Sequence, residues 1–180
     1  MLAPSGIRMT ERVIFLDVDG VLNTARSRTL GEGRWRDLDP QAVARLDQIL
    51  ERGRATVVLS SAWRKAVDPQ EVQARLAENG FRGTVRDRIP LREEHDPAVL
   101  ERLGETKVAR AGGAWPRGYE IQQWLDAHPK VAGIVILDEG HDMKHLQPWL
   151  VETNHISGLR DIHVERALAI LLGPPPPRSR

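Results

Sequence analysis

Val13-Ile14-Phe15-Leu16-Asp17-Val18-Asp19-Gly20 is the stretch from which the fold can be read. Its four leading apolar residues, three of them β-branched or aromatic, suit a strand covered on both faces, the kind found inside a parallel sheet. Two carboxylates follow, two residues apart, so both point to one side if the chain stays extended. Gly20 then permits a sharp turn that lets backbone amides face an anion.

Working outward, Thr56-Val57-Val58-Leu59 reads as a second buried strand, followed by Ser60-Ser61-Ala62-Trp63-Arg64. Residues 84–89 suit a short strand, Val131 to Leu137 a third buried one, and Leu150-Val151 the start of another. Between them lie helical patterns. Asp39-Pro40 offers an N-cap with Pro in the first turn, before Val43, Leu46, Ile49 and Leu50 at helical spacing and Gly53 as a stop. Asp68-Pro69 repeats the start signal, with Val72 and Leu76 on the apolar face and Gly80 at the end. Ile121, Trp124 and Leu125 mark another helix ended by His128-Pro129, and Ile162 to Leu172 a closing one. Leu91 to Ala114 leaves three readings open: a loop, a small lid, or one more helix around Pro97–Leu103.

Strands separated by helices need crossover connections, and crossovers give a mainly parallel sheet with helices on both faces. The expected fold is therefore α/β, a Rossmann-like three-layer sandwich without a large cap domain. The expected layout is a flexible leader over 1–10, one domain over 11–172, and a Pro-rich tail over 173–180.

Bulk properties exclude more than they assign. The formal net charge of +1 names no partner. The sequence has no cysteine, which removes disulfides, thiolate metal sites and cysteine nucleophiles. No apolar run is long enough to span a bilayer, so no membrane partner is expected and a cytoplasmic location is the default. Two basic clusters, Arg26, Arg28, Arg34 and Arg36, and Lys107, Arg110 and Arg117, are solvated faces or sites for an anionic ligand.

Ligands of open α/β sheets bind beyond the carboxyl ends of the strands. At that edge the sequence places Asp17, Asp19 and Gly20, then Ser60 and Ser61, then Asp138-Glu139-Gly140-His141-Asp142, with Arg117-Gly118 opening the helix before the third buried strand. Each type has a task in phosphoryl transfer. A strand-end carboxylate can attack phosphorus. A second can protonate the leaving oxygen and later deprotonate water. Carboxylates from two strands can hold Mg²⁺. A hydroxyl and a cation can bind the remaining phosphoryl oxygens.

These residues resemble the haloacid dehalogenase (HAD) superfamily of phosphatases, over roughly residues 12–172. Its hydrophobic strand followed by Asp-x-Asp-Gly is matched by residues 13–20, and the resemblance implies Asp17 as nucleophile and Asp19 as acid/base. Val57-Val58-Leu59-Ser60 is similar to its second motif, with Ser61 as second candidate. Arg117 is similar to its third, an Arg rather than a Lys, with Lys107 and Arg110 as fallbacks. Asp138 matches the first acid of its fourth motif; the second is Glu139 or, preferably, Asp142. The resemblance implies Mg²⁺ held by Asp17, Asp19, Asp138 and Asp142, and phosphate held by Ser60, Ser61, Arg117 and Gly20. Arg117-Gly118-x-Glu120-Ile121-x-x-Trp124-Leu125, then Ile136-Leu137-Asp138-Glu139, then Gly158-Leu159, looks like a small capless branch that includes domains of multi-module RNA repair proteins. That branch implies a Mg²⁺-dependent phosphohydrolase with an aspartyl-phosphate intermediate, acting on nucleotides, nucleic-acid ends or another phosphorylated small molecule. The competing readings are a non-catalytic phosphate or nucleic-acid-end binding module and a phosphotransferase of the same fold; Asp19, superfluous in a binder, argues against the first.

Two patterns invite other readings. His141-Asp142-Met143-Lys144-His145 superficially resembles the helical His-Glu-x-x-His zinc motif, but it directly follows a strand, and its histidines read as surface or supporting groups. Trp124 reads as core. Trp35, Trp63 and Trp115 read as packing beneath long loops, with stacking on a base as the sharper alternative.

Overall fold

Alternation along the strands determines which side chains meet which helices. The computed structural model describes residues 11–28, 38–105, 107 and 114–176, with the side chains of Arg26 and Arg28 excepted. The expected leader, Arg34, Trp35, Arg36, Arg110 and the end of the tail lie outside the described residues.

Five strands, β1 (Glu11–Leu16), β2 (Thr56–Leu59), β3 (Val85–Arg88), β4 (Val131–Asp138) and β5 (Leu150–Glu152), form one sheet in the order β3-β2-β1-β4-β5. Every pairing is parallel. β1 sits in the middle, as a run buried on both faces requires. Ile14 and Leu16 face one way, with Val57, Leu59, Val135 and Leu137. Val13 and Phe15 face the other, with Val58, Ile134 and Ile136.

Helices α1 (Ala25–Arg28), α2 (Pro40–Gly53), α3 (Pro69–Glu78), α4 (Pro97–Arg102), α5 (Arg117–Ala127) and α6 (Asp161–Leu171) fill the connections. Residues of α2, α3 and α6 cover the first face. Ile121, Trp124 and Leu125 of α5 cover the second, where Phe15 meets Trp124 edge-on at 5.4 Å. Such a contact adds about 1 kcal/mol to the burial itself. The Asp-Pro starts are caps: Asp39 accepts from the Gln41 amide, Asp68 from Glu71 and Asp96 from Ala98. Each contributes about 1 kcal/mol. Of the three readings left open for 91–114, the described residues contain the helix, over Pro97–Arg102, and among them no second domain-sized core caps the sheet.

One stop signal works differently from its reading. Gly53 is the last residue of α2, and the left-handed residue that ends the helix is Arg54, at φ 50°. A Cβ on Gly53 would lie 2.4 Å from Leu171 Cδ2, so this glycine leaves room for α6.

Candidate active site

One step past the paired residues Leu59, Leu16 and Leu137 stand Ser60, Asp17 and Asp138. The Asp17 amide donates to Leu137 O at 2.9 Å and the Ser60 amide to Leu16 O at 2.8 Å, so the ladder continues across them. Alternation puts all three on the face of Val13, Phe15 and Ile136, the face α5 covers. Arg117, the first residue of α5, is buried over the same edge. The sheet thereby assembles two carboxylates, a hydroxyl and a guanidinium from four chain segments.

Their electrostatics follow from burial. Asp17 is 3% exposed and Asp138 fully buried. Desolvation, and after it the charge of Asp138, push the Asp17 carboxyl up to about 6; Arg117, a hydrogen bond from Ser61 and His141 act against this. Burial also works to raise Asp138, but hydrogen bonds from the ring and amide of His141 and the amide of Gly140 outweigh it and hold the carboxyl below its ordinary value. The bond to Asp138 in turn raises His141. Asp138 Oδ1 receives the Gly140 and His141 amides at 3.0 Å each and lies 2.7 Å from His141 Nδ1, whereas Oδ2 is buried without a hydrogen-bond partner. Two buried carboxylates beside an unpartnered oxygen are a donor set suited to a divalent cation.

Asp19 is held rather than free. Asn23 Nδ2 donates to its Oδ1 at 2.7 Å and Trp63 Nε1 to its Oδ2 at 3.1 Å. Trp63 therefore packs beneath the loop, as expected, and also has a polar task. Gly20, at φ 76°, spends its own amide on Asn23 O at 3.0 Å. A Cβ there would lie 2.1 Å from Glu139 Oε2, so the Asp-x-Asp-Gly turn and the residue after Asp138 pack with no space between them. Thr153, just past β5, donates its hydroxyl to Gly20 O at 2.8 Å and braces the turn from behind.

The two serines separate. Ser61 caps the short 3₁₀ turn Ala62–Lys65, accepting from the Trp63 amide, and hydrogen-bonds Asp17. Ser60 Oγ is buried without a partner. From that turn Arg64 reaches back: one nitrogen donates to Ser60 O and Ser61 O at 3.1 and 3.0 Å, the other to both Glu120 oxygens at 3.0 Å. Glu120 also accepts from Arg117 at 3.2 Å, while Arg117 Nε is buried without a partner. Burial, then the neighbouring Arg117 charge, pull the Arg64 guanidinium below its ordinary value. A cavity of about 210 Å³ opens against this cluster, lined among others by Arg64, Lys65, Trp115, Arg117, Glu120 and His141. Trp115 is stacked on His95 at 4.2 Å. A larger cavity of about 350 Å³, bordered by Asp47, Arg82 and Thr84, lies at the opposite, amino-terminal edge of β2 and β3, away from these groups.

The structure therefore brings together Asp17, Ser60, Ser61, Arg117 and Asp138, with Asp19 and Gly20 on the adjoining turn. Asp142 does not join the carboxylate pair: it is exposed and tied to Lys144 at 2.7 Å. Its backbone oxygen instead receives the Gly118 amide at 3.1 Å. The Asp19 carboxylate also stands outside the one group of ligand atoms within 4.8 Å of one another found among the described residues, which is Asp17, Asp138 and His141. Lys107 is exposed. Sequence reasoning missed His141, Arg64, Glu120 and Asn23 as site residues. The i, i+3 spacing of Arg117 and Glu120 was a usable sign of a pair on one helix face; the pairing of Arg64 with Glu120 had no local signal.

Neither the curated proteins nor the solved structures contain a match to this chain. The model of the family described as the HAD domain in Swiss Army Knife RNA repair proteins does match, over residues 13–164, from the first core residue of β1 into α6. With that span and an all-parallel, capless sheet ending in Asp17 and Asp138, the chain belongs to the HAD domain family of Swiss Army Knife RNA repair proteins, a branch of a superfamily of phosphohydrolase type.

Proposed function

We propose that the protein is a cation-dependent phosphohydrolase acting through Asp17, on a nucleotide or a nucleic-acid-end phosphate. The observation that carries this reading is the pair of buried carboxylates, Asp17 and Asp138, side by side at two strand ends, with Asp138 Oδ2 buried and without a hydrogen-bond partner. Such a pair is costly unless a cation neutralises it, and a lone phosphate binder has no use for it.

Asp17 attacks the phosphorus with a carboxylate oxygen, forming an acyl phosphate as the bond to the leaving oxygen breaks. Asp19 hands that oxygen its proton, then takes one from the water that cleaves the acyl phosphate and releases inorganic phosphate, restoring both residues. Trp63 and Asn23 keep the Asp19 carboxylate aimed for both transfers. Arg117 Nε and Ser60 Oγ, buried donors without partners, are fitted to bind phosphoryl oxygens. Asp17 and Asp138 would hold the cation, Mg²⁺ being the ion that two carboxylates suit, and its charge offsets the repulsion between nucleophile and phosphate. The family's place in RNA repair supports a polynucleotide end, and a sheet edge without a large cap gives it access.

Phosphate release from an aryl phosphate, mononucleotides and 3′- and 5′-phosphorylated oligonucleotides tests the reading. Turnover that needs the cation, stops with chelator and disappears in Asp17→Asn is expected. A folded, cation-loaded protein that releases phosphate from none of them would sink it.

A further inference from the structure

Three groups converge beyond β1 and β4, and one of them is not an oxygen donor. His141 Nδ1 lies 2.7 Å from Asp138 Oδ1 and 3.6 Å from Asp17 Oδ2. Atoms bound to one ion at about 2.1 Å sit roughly 3 Å apart around it. The spacing of these three therefore matches neighbouring positions on a single coordination sphere.

The backbone accounts for this placement. Gly140, at φ 123°, turns the chain directly after the strand, and the Gly140 and His141 amides close that turn onto Asp138 Oδ1. The turn swings the imidazole back over the strand end. The Gly140 and His141 amides thereby engage Asp138 Oδ1, while Oδ2, in a fully buried side chain, has no hydrogen-bond partner. The His141 side chain is half exposed, which leaves an approach from solvent.

Carboxylates alone would describe a magnesium site; an imidazole changes the preference. Mg²⁺ takes oxygen ligands, whereas affinity for a mixed nitrogen and oxygen set rises along the first transition row from Mn²⁺ through Co²⁺. We propose that His141 is a metal ligand through Nδ1, the cation replacing any proton there while the ring keeps its proton on Nε2, and that the site accordingly takes a first-row transition-metal dication, of the Mn²⁺ or Co²⁺ kind, in preference to Mg²⁺. The inference rests on reading Asp17 and Asp138 as a cation site, and its test reads binding rather than turnover. Asp142, engaged by Lys144, is not part of this set.

Pulsed electron paramagnetic resonance of the full chain loaded with Mn²⁺ should show coupling to one imidazole nitrogen. His141→Ala should remove that coupling and weaken Mn²⁺ binding, by calorimetry, roughly tenfold or more, with a smaller loss for Mg²⁺. His141→Asp, an all-oxygen set, should bind metal and favour Mg²⁺. Asp142→Asn should leave both affinities unchanged. Circular dichroism melts establish that each variant is folded. Bound Mn²⁺ coupled only to oxygen ligands, or equal losses of Mn²⁺ and Mg²⁺ in His141→Ala, would overturn the assignment while leaving the proposed hydrolase intact. Wild type that binds neither ion would overturn both.

Discussion

Asp17 and Asp19 carry the same side chain two residues apart, and their surroundings part them. Asp17 is buried against Asp138, whereas Asp19 is half-buried and receives the indole N–H of Trp63. Environments that differ in this way would let one residue type serve as nucleophile and as acid/base in the proposed reaction. Trp63→Phe keeps the ring packing and deletes the donor, so kcat should fall roughly tenfold, the equivalent of one hydrogen bond of about 1.4 kcal/mol. The urea midpoint should move little; an unchanged kcat would show that Trp63 only packs. Gly118 is a second residue whose role is local. A Cβ there would lie 2.0 Å from the backbone oxygen of Met143, and backbone cannot step aside as a flexible side chain can. Gly118→Ala should cost about 1–3 kcal/mol in urea unfolding and disturb the turn that carries His141.

Between elements, the decisive contact is the bridge from the turn after β2 to α5. Arg64 is 5% exposed and Glu120 8%, and their two-pronged pair joins the Ser60 and Ser61 carbonyls to the helix that presents Arg117. Removing one member strands the other charge in the interior, at a cost of about 3–5 kcal/mol. Glu120→Gln should therefore lower stability in urea by about that amount and raise KM for phosphate esters, because Arg117 loses the partner that sets its direction. Equal stability with an unchanged KM would remove the bridge from the site. The loop after β5 works similarly on the other side. Gly158, at φ 57°, would carry a Cβ 2.7 Å from both Thr24 Cγ2 and Val21 O, and the Leu159 amide donates to Val21 O at 2.9 Å. Gly158→Ala should destabilise by about 1–3 kcal/mol through strain and crowding together, measured as a shift in urea midpoint.

At the scale of the whole molecule, folding concentrates negative charge at one edge of the sheet, so a bound cation should stabilise the native state. A divalent ion at a hundredfold its Kd should add about 2.7 kcal/mol to unfolding, seen as a higher midpoint that chelator reverses. Asp138→Asn should lose that gain. A midpoint indifferent to divalent ions in the wild type would count against a cation at this edge. Among the described residues no helix is long and apolar enough to cross a membrane.

The strands, their parallel sense and the longer helices were legible because they rest on local patterns: apolar runs, Asp-Pro caps, and 3.6-residue spacing in α2 and α3. The same holds for the strand-end positions of Asp17, Ser60 and Asp138, which directly follow apolar runs, since a strand's end fixes where its next side chain emerges. What the sequence could not determine by itself is which groups touch once the sheet has formed. Asp142 and His141 are adjacent in sequence, yet the turn at Gly140 sends the imidazole to Asp138 and leaves the acid with Lys144. Arg64 meets Glu120 across 56 positions of chain. Local preference sets each element. The partner of a buried charge is decided by desolvation, which only the assembled tertiary structure imposes.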